Sequence, residues 1–491
     1  MLWEWIVIWL YSISLLFIFL FSLGQLHLTW HYLKAKKQLS TNPEPQHDKA
    51  VQNWPKVCVQ LPVFNERYVV KDLINKVCEL DYPTEKLIIQ VLDDSTDDTT
   101  EIIRKSVSEW KNKGFSIELI RRQNREGYKA GALQYGLQLT DAEFIAIFDA
   151  DFLPDPQFLR KTVPQFKNEK IGVVQTRWGH TNKNYSLLTR LLAFGLDAHF
   201  TIEQVGRSHA GSFINFNGTA GVWRKETIID AGGWSADTLT EDLDLSYRAQ
   251  LRGWKFLYRE DVESPAELPI IMPAIKSQQF RWNKGGAETA RKNFGKILKS
   301  PIGFSHKTHA FFHLFNSSIF IAILVTALLS LPMLYIKSIR PELALLFQIG
   351  SVFLLGFFSI GIFYWVANKF LLPKNHTSYF FKTFPVFITV SMGLSLHNAL
   401  AVAEGLLGIK SAFIRTPKFN LSGKGQSWKS NKYIKLQFSW LTLLEGLLAI
   451  YFAFGIVLGI QLKDYGLLLF HFMLMIGFSM VFYHSVKPQV K

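Results

Sequence analysis

Four stretches of this chain set polar side chains where a reaction could use them. The first is "VLDDSTDDTT", residues 91–100, with Asp93, Asp94, Asp97 and Asp98 crowded together. The run before it, "KLIIQVL" (86–92), has the make-up of a buried strand, so Asp93 and Asp94 fall at its carboxyl end. Ligands of open α/β sheets bind at such ends, and a carboxylate pair there suits hydrogen bonds to a sugar or a base. Asp97 and Asp98 open the helix that follows and read as caps, because acids satisfy its free N–H groups and its positive end. The second stretch is "FIAIFDADFLPDP". Asp149 and Asp151 follow a buried strand, and the alternation of an extended chain points both carboxylates to one side. Such a pair suits a hard cation that also takes substrate phosphates, and taken alone it reads equally as a polar turn.

The third stretch, "LTEDLDLSYRAQLRGW", places Glu241 and Asp242 in the first turn of an amphipathic helix behind Thr240. Taken alone, this is a helix cap with acids at the dipole's positive end. The fourth, "SQQFRWNKGG", spaces Gln278, Arg281 and Trp282 as Q-x-x-R-W. Gln and Arg donate to phosphate or hydroxyl oxygens, and an indole offers a flat face to a sugar ring. The same residues would also serve an amphipathic membrane-surface helix with a Trp anchor.

These stretches need a scaffold. Apolar runs recur at 57–63, 86–92, 116–120, 143–148 and 171–175, with helix-period segments at 68–80 and 99–112. Strands alternating with helices predict an α/β domain over 55–300 with a mostly parallel sheet. The whole chain of 491 residues is 48% hydrophobic, rich for a soluble protein, and the excess is concentrated outside this domain. Residues 3–28 are long enough to cross a bilayer, carry Glu4 and no early basic residue, and so predict a retained anchor (1–30) and not a signal peptide. Four more spans are predicted within a membrane domain 301–491, at 311–336, 343–367, 438–460 and 465–485. The stretch 383–408 is apolar but interrupted by Ser391, Ser395, His397, Asn398 and Glu404, and the loop after it carries seven Lys and Arg (Lys410 to Lys435) and no acid. Positive loops stay on the cytoplasmic side, so 383–408 is expected to lie in the interface or re-enter. That makes five spans, with the N-terminus outside and the C-terminus inside.

The net charge of +15 fits a chain whose basic loops lie against anionic lipid. No zinc-finger spacing, RNP1 motif or base-reading basic helix is present, which argues against a nucleic-acid partner. The two cysteines, Cys58 and Cys78, stand in no metal or disulfide pattern.

In their order and context, "VQLPVFNE", "LDDSTDDT", "EGYKAGAL", "DAD", "FNGTAGVWRK", "TED" and "QQFRW" resemble the successive landmarks of processive glycosyltransferases of family 2, in the cellulose synthase superfamily. "VQTRWGHTN", "NGTAGVWR" and "FIRTPKF" look most like the cellulose-synthase-like mannan and glucomannan synthases and their bacterial relatives. The resemblance spans roughly residues 55–435. It implies a Rossmann-like GT-A domain in the cytosol, joined to a multi-span α-helical membrane domain. It also implies a UDP- or GDP-hexose donor, Mg²⁺ or Mn²⁺, and a polysaccharide acceptor. Carried over, Asp94 contacts the nucleotide beside Pro62, Asn65 and Glu66, and Lys129 lies near the nucleotide-sugar. Asp149 and Asp151 hold metal and diphosphate, Asp242 is the general base, and Gln278, Arg281 and Trp282 line the acceptor and diphosphate site. Arg415, Thr416 and Lys418 stand in a gating segment within 383–435 whose family pattern is F-x-V-T-x-K; here Arg415 replaces the Val and Pro417 intervenes. The absence of plant-type insertions points to a bacterial inner membrane.

One carboxylate base and one metal predict inversion at the anomeric carbon, since a cation that offsets the leaving diphosphate makes a general acid unnecessary. A retaining glycosidase would need two opposed carboxylates instead. The expected activity is extension and extrusion of a β-linked mannan, glucomannan or glucan. Transfer of a single sugar to a lipid is the alternative within the family, and a catalytically silent sugar-nucleotide- or glycan-binding membrane protein the alternative outside it.

Overall fold

The computed structural model describes residues 2–41, 53–421, 431–433 and 439–487. Seven strands form one sheet: β1 (Val57–Val63), β2 (Leu87–Asp93), β3 (Ser116–Ile120), β4 (Phe144–Ile147), β5 (Ile171–His180), β6 (Gly221–Arg224) and β7 (Lys255–Ala266), in the order 3-2-1-4-6-5-7. β1, β2, β3 and β4 pair in parallel, as do β5 and β7; only β6 runs antiparallel, between β4 and β5. The alternation of the central strands sorts their side chains to two faces. Val57, Val59 and Leu61 join Ile89, Val91, Val70, Ile74 and Ile103 on one face. Cys58 and Leu92 join Leu133, Leu137, Leu245 and Ala249 on the other. Helices Val70–Cys78 and Thr99–Asn112 cover the first face; Tyr128–Gln138 and Glu241–Leu251 cover the second.

β6 and β7 have no counterpart among the apolar runs of the sequence. β6 has only four residues. β7, "KFLYREDVESPA", is a charged strand at the sheet's edge, where half its surface needs no apolar cover.

A 28-residue helix, Met272–Lys299, leaves the α/β domain and lies against membrane helices. Lys276 Nζ bonds Glu445 Oε2 at 2.6 Å, and Lys284 Nζ bonds Glu404 Oε2 at 2.8 Å. His397 Nε2 meets the carbonyl of Lys276 at 3.0 Å, and Asn398 donates to Gln279 Oε1 at 2.8 Å. Three of the polar residues that interrupt 383–408, His397, Asn398 and Glu404, are thereby matched to this helix. Gly405 permits the approach: a Cβ there would stand 2.5 Å from the carbonyl oxygen of Lys284.

The protein is a membrane protein. Among the described residues five helices are long and apolar enough to span a bilayer: Leu2–Thr41, Asn316–Ile339, Leu354–Leu371, Trp440–Gln461 and Leu468–Val486. The pair His376–Gly393 and Ser395–Leu407 would add a sixth if taken as one crossing, but is bent by 53°. Two spans begin later than the hydrophobicity implies. Phe304–Leu314 is a separate helix, whose Phe311 packs on Phe294 of the long helix, and a 3₁₀ turn at Ser351–Phe353 breaks the second.

Candidate active site

The carboxyl ends of β1, β2, β4, β5 and β7 open into one cleft, closed on the far side by helix Met272–Lys299 and by residues 413–418. Pro62, Glu66, Asp94, Lys129, Asp149, Asp151, Asp242, Gln278, Arg281 and Trp282 all line it. Residues up to 220 positions apart in the sequence therefore meet in one place.

Asn65 is not among the lining residues. It sits at φ +55°, which asparagine tolerates better than most residues, and its amide is turned to the neighbouring loop. Its Oδ1 accepts the N–H of Thr96 at 2.9 Å, and its own N–H donates to Ser95 Oγ at 2.8 Å. Asp93 also turns away. It is buried and accepts from the Ser95 N–H (2.9 Å) and the Thr100 hydroxyl (2.7 Å), so the pair after β2 is divided and only Asp94 faces the cleft. Arg122 holds Asp94 from the side, its Nε 3.1 Å from Oδ1. Asp97 accepts the Thr99 N–H at 3.0 Å, as a cap does, and its other oxygen meets the Tyr433 hydroxyl and Lys432. Asp98 makes no side-chain cap; it pairs with Arg67 (2.6 Å) and Lys432 (2.5 Å).

At the end of β4 each aspartate meets a lysine: Lys129 Nζ to Asp149 Oδ1 at 2.5 Å, and Lys418 Nζ to Asp151 Oδ2 at 2.7 Å. Burial alone would lower the Lys129 pKa, but Asp149, Glu241 and Asp242 raise it, so the ammonium stays charged. Lys129 also donates to the carbonyl of Gly218 at 2.8 Å. Gly218 has φ +79°, and a Cβ there would lie 2.9 Å from Asp242 Oδ2, so the turn needs glycine on both counts. Burial, and then the neighbouring Glu241 carboxylate, push Asp242 up to about 7, against the opposing pull of Lys129. Its Oδ1 accepts the Leu243 N–H at 2.8 Å.

Residues 413–421 run across the mouth. Arg415 pairs with Glu66 at 2.6 Å, and Phe413 stacks on Tyr128 with ring centroids 5.6 Å apart. Glu267, at the end of β7, receives the N–H groups of Phe419 (2.7 Å), Asn420 and Leu421 (both 3.1 Å). Glu267 escaped the sequence reading because its strand did. Trp178, 6.4 Å from Trp282 between ring centroids, is a second indole in the cleft. Its signal was the continuation of "IGVVQ" through "TRW", which carries β5 to its carboxyl end.

The sheet order and the cleft at its carboxyl edge define a GT-A type of nucleotide-sugar fold. A solved mannosyltransferase from Pyrobaculum calidifontis, in complex with GDP-Man and Mn²⁺, shares it: TM-score 0.54, 18% identity, covering 82% of this chain and 100% of that one. The model of "Glycosyltransferase like family 2" matches residues 55–285. Glucomannan 4-beta-mannosyltransferase 2 of Arabidopsis thaliana is 39% identical over 79% of this chain and 72% of its own length. Glucomannan 4-beta-mannosyltransferase 1 of Oryza sativa subsp. japonica is 43% identical over 58% of this chain and 56% of its own. The chain belongs to glycosyltransferase family 2, among its cellulose-synthase-like members, and is a glycosyltransferase.

Proposed function

We propose that the chain transfers mannosyl units from a nucleotide-sugar, GDP-mannose in the first instance, to the end of a growing β-linked mannan or glucomannan, and passes the product into the membrane domain. The observation that carries this reading is the single cleft in which Asp149, Asp151, Asp242 and the Q-x-x-R-W residues converge, on a helix bonded directly to membrane helices. The names of the relatives favour mannose over glucose and a polysaccharide over a lipid acceptor.

In this account Asp94, Glu66 and the backbone at Pro62 receive the nucleotide. Asp242 takes the proton of the acceptor hydroxyl. The freed oxygen attacks the anomeric carbon from the side opposite the diphosphate, the C1–O bond to phosphate breaks, and the configuration inverts. Lys129 and Arg281 face the departing diphosphate. Mg²⁺ or Mn²⁺ fits the donor set: Lys129 and Lys418 occupy one oxygen of each aspartate, and Asp149 Oδ2 and Asp151 Oδ1 have no protein partner among the described residues. Among the described residues no group of three or more His, Cys, Asp or Glu is placed to hold a metal ion by itself, so a cation on this aspartate pair would take its remaining ligands from substrate phosphates and water. When bound, the cation offsets charge on the leaving diphosphate. Titration calorimetry should show GDP-mannose binding weakened at least tenfold by a chelator or by Asp149→Ala, with no further loss when the two are combined. Equal binding with and without chelator would remove the metal from the account.

Because Asp242 must be ionised to accept a proton, its raised pKa predicts an acid limb. Turnover at saturating donor should rise with pH through about 7 and level off above it. A rate that is flat from pH 6 to 8 would contradict this.

The segment 411–421 lies against the catalytic domain, so both share one side of the bilayer. Between them Asn316–Ile339 and Leu354–Leu371 cross twice, and a third crossing would move the segment away. We therefore assign the bent pair as re-entrant, with segment and catalytic domain cytosolic; the reading of the bilayer as a bacterial inner membrane rests on the lack of plant-type insertions and not on the topology. A cysteine at the exposed Ala412 should react with impermeant thiol reagents only after lysis. Labelling in intact cells would overturn the topology.

A further inference from the structure

A second cavity lies outside the cleft, between the N-terminal span and the short helix Phe304–Leu314. Leu20, Leu23 and Gly24 of the span, with Phe304 and Phe312 of the helix, form its apolar part. Gln25, His27, Arg207, His309 and His313 form its polar end. Two polar atoms there have no hydrogen-bond partner among the described residues: Arg207 Nη1 and Gln25 Oε1, on side chains from residues only 3% and 5% exposed. The other arm of Arg207 is engaged, Nη2 to Glu203 Oε2 at 3.0 Å. A buried guanidinium N–H left without a partner is costly and is normally matched by something.

The surroundings indicate what matches it. None of the residues lining this cavity is acidic; the counter-charge of Arg207 is Glu203, which lies outside the lining and is engaged by Nη2, so Nη1 has no carboxylate among the lining residues. The imidazoles of His27 and His309, with ring centroids 5.2 Å apart, add donors beside it. From Leu20 to His27 the helix rises ~10 Å, enough length for a headgroup at the polar end and the start of an acyl chain along the apolar part. Its rim is open, with the apolar side chains of Leu20 and Phe304 43% and 86% exposed.

We propose that this cavity binds the phosphate headgroup of an anionic phospholipid at Arg207, His27 and His309, with the upper part of one acyl chain along Leu20, Leu23 and Phe312. A phosphodiester supplies acceptors for the guanidinium arm that Glu203 leaves unpartnered, and a bond from a guanidinium to a phosphate oxygen is of the strong, charge-assisted kind. A soluble phosphate would satisfy the polar end alone and leave the apolar part unused.

The test uses the full chain purified in a mild neutral detergent. Native mass spectrometry would count lipid retained per chain after exchange with phosphatidylglycerol, phosphatidylcholine or water-soluble glycerol 3-phosphate. Wild type should retain one phosphatidylglycerol, at least fivefold above phosphatidylcholine, and no glycerol 3-phosphate. Gly24→Leu fills the apolar part and leaves Arg207 intact; a Cβ at Gly24 meets only Phe312 Cγ, at 3.9 Å. It should lower retention at least fivefold, and Arg207→Gln should do the same. Gly24→Leu also keeps the inference open to refutation if removing the charge of Arg207 impairs folding. Equal retention of the two lipids, retention of glycerol 3-phosphate, a cavity holding only water, or wild-type retention by Gly24→Leu would each overturn the proposal.

Discussion

Asp242→Asn should lower kcat by about 10²–10⁴, the usual cost of losing a positioned base, while GDP-mannose binding stays within a few-fold of wild type. The substitution is nearly isosteric. The amide oxygen still accepts from the Leu243 N–H, and the turn at Gly218 keeps its shape. What is lost is the ability to take a proton at a carboxylate whose pKa stands near 7. Most other acids of the cleft are engaged: Asp94 by Arg122, Asp149 by Lys129, Asp151 by Lys418, Glu66 by Arg415 and Glu267 by backbone N–H groups, while Glu241 stands 4.0 Å from Lys129. Retention of a tenth or more of wild-type turnover would return Asp242 to the role of a helix-terminal acid.

Trp282→Ala should shorten the product or abolish it, while donor hydrolysis to water, where wild type shows any, is spared. Trp282 stands on the helix that reaches from the cleft to the membrane helices, opposite Trp178. An indole face covers the apolar side of a pyranose ring and holds the newly extended end for another round. Chain length is set by the ratio of extension to release. An aromatic contact of ~0.5–1.5 kcal/mol changes release by up to about tenfold, and mean length changes in proportion. Product sizing on a gel beside radiolabelled donor turnover separates the two effects. Unchanged length would move the acceptor platform elsewhere in the cleft.

The parallel half of the sheet was legible because apolar runs there fill both faces of buried strands. β3 and the helix Thr99–Asn112 fall where the pattern places them. β7 was not legible, since an edge strand with Arg, Glu and Asp carries no such run. The four aspartates of "VLDDSTDDTT" show the limit more sharply. Their neighbours in the sequence identify a strand end and a helix start, and both are there. Which carboxylate faces the cleft depends on partners far along the chain. Asp94 is fixed by Arg122, and Asp97 and Asp98 are tied to Tyr433 and Lys432, more than 330 positions away. A basic chain carries this acidic knot because distant Lys and Arg neutralise it. In the same way, His397, Asn398 and Glu404 looked like flaws in a span until the helix Met272–Lys299 supplied their partners.

The most direct test is a donor screen with the purified, detergent-solubilised protein and Mg²⁺ or Mn²⁺, with linkage and size analysis of the product. GDP-mannose should be turned over fastest and yield a β-linked, mannose-containing polymer. A monoglycosylated lipid as the only product, at every donor concentration, would contradict the processive account, and no turnover of any nucleotide-sugar would contradict the enzyme.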